Sequence, residues 1–149
     1  MLCYWPKVDS HFSGGKDFQN WNHMIYPQSV DHLVLRVADL SKTELFYTAL
    51  LGEAVHPAEG SIMYQVGRTR IFFTLCGRPQ SVPYEKEEVG LNHLAFGVCT
   101  LEDLRVIQEQ LSRARIRNSG IQKDRHGQKE FIWLDDPDNM RVEFYLRPL

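Results

Sequence analysis

Cysteine is scarce in this chain: Cys3, Cys76 and Cys99 are all there is in 149 residues. An odd, widely spaced set makes no disulfide framework and suits a reducing compartment. Charge of one sign is also lacking, since 17 Lys and Arg against 19 Asp and Glu leave a net −2. Nucleic-acid backbones and anionic membranes call for clustered positive charge, so neither is expected as a partner. No stretch approaches the roughly 20 apolar residues of a membrane span. The first residues lack a basic start followed by an apolar run, so no secretory signal is expected. Together these absences point to the cytoplasm. What remains is an ordinary globular mixture, 43% hydrophobic, long enough for one domain with a sizeable core.

Two short stretches organise that domain. Asn92-His93-Leu94-Ala95-Phe96-Gly97-Val98 repeats the pattern of Asp31-His32-Leu33-Val34-Leu35-Arg36-Val37. Each alternates in polarity as a strand does. After the first, Ser41-Lys42-Thr43-Glu44 forms a capping-box pattern, with Leu40 and Leu45 spaced as a hydrophobic staple. A helix is expected to follow, with Leu45, Phe46, Ala49 and Leu50 as its core stripe and Gly52 as its stop. Strands are expected at residues 54–57, 62–66 and 70–75. Residues 78–90, with Pro79, Pro83 and Glu85-Lys86-Glu87-Glu88, read as a linker. The pattern then restarts. Thr100 is the expected cap of a second helix carrying Leu104, Ile107 and Leu111 and ending near Ala114. Strands are expected at 118–123, 130–134 and 140–146, with a Pro137-centred turn before the last.

The chain is thus an internal repeat of strand, helix and three strands, spanning residues 30–77 and 91–149. Residues 1–29 form an irregular arm, yet they contain Tyr4, Trp5, Phe12, Phe18, Trp21 and Tyr26. Disordered tails are usually poor in aromatics, so part of the arm is expected to pack on its own domain or a partner. His11 and His23 read as surface histidines there. One face of each sheet must pack its helix, and the other must line something else. By parity His32, His93, Arg141, Glu143 and Tyr145 share that second face. Buried histidine and glutamate are costly unless paired or bound to a cation. Two imidazoles and a carboxylate suit a divalent ion with open positions: Fe(II) or Mn(II) first, with Zn, Co and Ni also open. The competing reading is two structural histidines and a Glu143 facing water on an open sheet.

His32, the Leu40–Gly52 helix with Phe46-Tyr47, Asn92-His93-Leu94-Ala95-Phe96, and Asp136-Pro137-Asp138-Asn139 followed by Val142-Glu143-Phe144 carry a resemblance. Over about residues 30–147 the chain resembles the vicinal oxygen chelate superfamily. That superfamily includes glyoxalase I, fosfomycin-resistance transferases, bleomycin-resistance proteins and extradiol ring-cleaving dioxygenases. The resemblance implies an α+β fold of two βαβββ modules whose sheets curl into a bowl around a divalent metal. It also implies a homodimer. His32, His93 and Glu143 match its ligand positions. Phe72 stands near the point where glyoxalase I has a fourth ligand, a Glu, which argues against that activity. Asn139 replaces the family's usual glycine, and Asn tolerates the left-handed turn.

The implied function is metal-dependent chemistry on a small molecule with adjacent oxygens. Ring-cleaving dioxygenase and fosfomycin-type transferase rank together, ahead of isomerase or lyase. Tyr64 and Tyr145 are candidates for proton handling or substrate contact. Arg36, Arg70 and Arg141 are expected to project into the bowl, where an arginine would pair an anionic substrate group or Glu143 itself. His126 is a candidate rim residue, and Cys76 and Cys99 read as structural. The rival reading is a metal-free protein that binds a drug or metabolite, with Phe72, Phe131 and Trp133 as stacking surfaces. A third makes the domain a sensor or subunit of a larger assembly.

Overall fold

The computed structural model describes residues 27–77 and 84–148. The aromatic arm, His11 and His23 lie outside these residues, apart from Pro27–Ser29. Each half begins with an alternating strand, β1 (His32–Val37) and β5 (His93–Val98). A helix follows each, α1 (Leu40–Leu51) and α2 (Leu101–Arg113). Three strands complete each half: β2 (Val55–Ala58), β3 (Ser61–Val66) and β4 (Thr69–Leu75), then β6 (Gln122–Lys123), β7 (Glu130–Asp135) and β8 (Arg141–Leu146). They form two four-stranded mixed sheets of matching order, β1-β4-β3-β2 and β5-β8-β7-β6. In each, the first strand runs parallel to the last and the other pairs are antiparallel. The duplicated α+β architecture expected from the sequence is therefore present.

Both sheets pack one face on a helix. Val37, Ile62, Ile71 and Phe73 are buried under α1, and Ile132, Leu134, Val142 and Phe144 under α2. The second helix follows its sequence signals closely. Thr100 accepts from the Asp103 amide while the Asp103 carboxylate accepts from the Thr100 amide, and Leu104 and Leu111 are buried. The first helix differs from expectation. Asp39, not Ser41, is its cap, accepting from the Lys42 amide at 3.1 Å. An extended Asp39 brings a carboxylate to the positive end of the helix, so the helix starts earlier and absorbs Ser41. Its buried residues are Thr43 and Tyr47, whereas Leu45, expected inside, is 79% exposed.

Tyr64 also lies on the helix side. Its hydroxyl meets Thr48 Oγ1 at 3.0 Å and donates to the Glu44 carbonyl at 3.2 Å, and 1% of the residue is exposed. It cannot touch a ligand on the opposite face, so its role is to tie α1 to β3. The strand expected over 118–123 shrinks to two residues. Asn118 Oδ1 accepts from the Gly120 amide, Gly120 adopts φ +69°, and the chain turns there instead. Asn139 adopts φ +70°, the left-handed conformation that its side chain tolerates. Cys76 and Cys99 are free and exposed, so neither is the core residue that a structural role implies.

The two halves join through their helices and the turn after β7. The Tyr47 hydroxyl donates to Asp136 Oδ2 at 3.0 Å, and the Ala38 amide donates to the Asp138 carboxylate at 3.2 Å. No strand of one sheet pairs with a strand of the other among the described residues. This leaves two separate open faces, one on each sheet. Among the described residues no helix is long and apolar enough to cross a membrane.

Candidate metal centre

The open face of the second sheet is set by β5, β7 and β8. The register places His93 beside Arg141, Ala95 beside Glu143 and Gly97 beside Tyr145, while Trp133 pairs with Glu143 and Phe131 with Tyr145. Glu143 is 8% exposed, yet its nearest cationic partner is His93, with Nε2 and Oε2 3.7 Å apart. That is too long for a hydrogen bond, and among the described residues no other group donates to the carboxylate. The arginine that could have neutralised it does not. Arg141 Nε donates to Asp135 at 2.6 Å, and its guanidinium lies 3.8 Å over the Trp133 ring. Glu143 thus sits largely covered beside an imidazole nitrogen, with no hydrogen bond to its carboxylate among the described residues.

The histidines share a second feature, which was not read from the sequence. An Asx residue precedes each, and its side-chain oxygen sits 2.8 Å from the ring Nδ1: Asp31 for His32 and Asn92 for His93. The Asp31 carboxylate can only accept, so the proton of neutral His32 is on Nδ1. Asn92 Nδ2 donates to the Lys86 carbonyl at 2.8 Å, which turns its oxygen toward His93. Both imidazoles therefore present an Nε2 that makes no hydrogen bond among the described residues, as a metal ligand requires. The signal was available as Asp31-His32 and Asn92-His93 at equivalent points of the repeat.

His32 lies on the other sheet. Phe72 packs against its ring edge-on at 5.8 Å, and Arg70 donates to Asp31 at 2.6 Å. Arg36 is tied to the Leu75 carbonyl at 3.0 Å. Among the described residues of one chain no three His, Cys, Asp or Glu side chains gather as a metal site. One chain thus brings His93 and Glu143 together and leaves His32 apart.

Tyr145 stacks on Phe131 with ring centroids 4.8 Å apart. Burial, then the Glu143 charge, raise its hydroxyl above the usual tyrosine range, so at neutral pH it is a hydrogen-bond donor. A groove of about 630 Å³ runs from His93 past Tyr145 to His126, Lys129 and Arg147. His126 lines this groove, while Asp124, Lys129 and Arg147 are groove residues that sequence reasoning missed. Trp133, Phe131 and, on the first sheet, Phe72 lie on the open faces.

The model of the Glyoxalase/Bleomycin resistance protein/Dioxygenase superfamily matches residues 29–144, and the chain belongs to that superfamily. It is 27% identical to the uncharacterized protein YaeR of Escherichia coli (strain K12), covering 82% of this chain and 98% of YaeR. It is 28% identical to the glutathione transferase FosA of Serratia marcescens, covering 82% of this chain and 83% of FosA. Its fold is similar to the glyoxylase/bleomycin resistance protein/dioxygenase domain from Frankia sp., with a TM-score of 0.68 at 23% identity, covering 81% and 98% of the two chains.

Proposed function

We propose that the protein is a metal-dependent enzyme acting on a small molecule with adjacent oxygens, and that its site is completed in a homodimer. His93 and Glu143 of one copy would be joined by His32 of the partner subunit. The observation that supports this most is the largely covered Glu143 carboxylate facing His93 Nε2 at 3.7 Å, with no hydrogen bond to it among the described residues. The separation of His32 on its own open face supports the second copy. Two imidazoles and one carboxylate favour Fe(II) or Mn(II). A bound divalent ion supplies chelation of adjacent oxygens and stabilisation of developing negative charge. The chain's own residues do the rest. Asp31 and Asn92 hold the imidazoles in the ligating tautomer, Tyr145 offers a proton at its hydroxyl, and Trp133 and Phe131 wall the face. The match to FosA favours a transferase over a ring-cleaving dioxygenase. The free, exposed Cys76 and Cys99 fit the reducing cytoplasm.

Metal analysis after equilibrium dialysis tests this reading. About one Fe(II) or Mn(II) per chain is expected. Asp31→Ala frees the His32 ring and should weaken binding by about 10- to 100-fold, as loss of outer hydrogen bonds to ligands does. A chain that takes up no ion at all would instead support the rival, a metal-free binding protein. The aromatic face of Phe131, Trp133 and Tyr145 favours that second reading.

A further inference from the structure

Beyond the His93–Glu143 pair, the groove holds two cations, Lys129 and Arg147, that form no ion pair among the described residues. In the β7–β8 ladder Phe131 faces Tyr145. Lys129 lies just before β7 and Arg147 just after β8, beyond that pair, and both line the groove. Like charges gathered in one groove repel. Asp124 lines the same groove, but its carboxylate is engaged in the turn, where it accepts from the His126 and Gly127 amides. Those amides hold its carboxyl below the usual range, the Gly127 contact contributing most. Arg147 forms no ion pair among the described residues and Lys129 forms none either. The Arg147 guanidinium folds back to 4.8 Å from the Tyr145 ring, toward the metal end of the groove. Its stem passes over Gly97, where an added Cβ would meet Arg147 Cγ in ordinary van der Waals contact at 3.5 Å.

Resting on the metal-enzyme reading above, we propose that Lys129 and Arg147 bind an anionic group, a carboxylate or a phosphonate, carried by the substrate at the end away from the chelated oxygens. Glu143 and Arg147 are four strand residues apart, about 13 Å of backbone, and the folded-back guanidinium shortens that span. The substrate class is then a small, elongated anion whose middle lies on the Phe131–Tyr145 stack. An anion between the two cations relieves their repulsion and gains charge-assisted hydrogen bonds.

Calorimetric titration of the purified protein with phenylphosphonate, phenylacetate and neutral phenylacetamide tests this. The expected result is that at least one anion binds about tenfold or more tightly than the amide, and that Lys129→Ala and Arg147→Ala each remove that preference. The tighter of the two anions identifies the group. Equal binding of anion and amide, absence of anion binding, or a preference that survives both substitutions overturns the proposal. Metal content is measured on the same samples. Both side chains are exposed, so the variants keep the fold and should keep their metal. A metal-free parent would count against the enzyme reading, whereas a metal-loaded parent without anion preference counts only against this assignment.

Discussion

Glu143→Ala and His93→Ala should each cost the protein its metal while the fold persists. Losing an outer hydrogen bond to a ligand weakens such sites by about 10- to 100-fold, and losing the ligand itself should exceed that range. Glu143→Ala has a second consequence. It removes a largely covered carboxylate that makes no hydrogen bond among the described residues, so the metal-free variant should be about as stable as the metal-free parent. His93→Ala differs, because it takes away the cationic partner nearest the carboxylate among the described residues. Thermal unfolding with and without added Mn(II) checks both points. The parent should gain melting temperature with the ion and neither variant should. A Glu143→Ala protein that still binds Mn(II) as tightly as the parent would remove Glu143 from the site.

Tyr47→Phe should be the most costly single-atom change to the fold. The hydroxyl is buried and donates to Asp136, whose other oxygen accepts from the Asp138 and Met140 amides. A hydrogen bond to a charged group is worth about 1.5–3 kcal/mol, and here both partners are out of water. The urea midpoint should fall by roughly 1 M, given typical slopes for small domains. The loss should depend on pH. Burial, the largest influence, raises the Asp136 carboxyl above its usual range, while the Tyr47 hydrogen bond opposes that rise. A raised acid contributes stability that is present below its unfolded pKa and lost as pH rises through the folded one. Tyr47 limits that loss, so Tyr47→Phe should be more harmful at pH 7 than near pH 4. Comparing parent and variant at each pH cancels the surface carboxylates, such as Asp31 and Asp103, which shift the other way. A difference independent of pH would show that Tyr47 serves only to fill space.

Alternation and capping made most of this fold legible. The parity of Leu33, Leu35 and Val37 against His32, Val34 and Arg36 is the parity observed, and Thr100 caps α2 as its sequence implies. The first helix was misread because two capping signals overlap. Asp39 and Ser41 both precede helical spacing, and only the packing of Tyr47 against Asp136 decides between the phases. Tyr64 shows the limit of naming a residue by its chemistry: its parity with Ile62, which is buried, already assigned it to the helix side. The destination of Arg141 was not legible, since Asp135 and Glu143 both lie within its reach and only the turn geometry selects Asp135. Nor could the sequence separate His32 from His93. That depends on two sheets that do not join among the described residues.

A complementation measurement bears most directly on the shared site. His32→Ala and Glu143→Ala chains, carrying different tags, are co-expressed, and the species holding both tags is purified. If the triad spans two copies, each mixed dimer has one intact site and one doubly damaged site. It should then bind about half the metal of the parent, while either variant alone binds none. Recovery of the two-tag species without metal above the single variants would contradict a site shared between subunits. So would failure to recover any two-tag species from chains that fold.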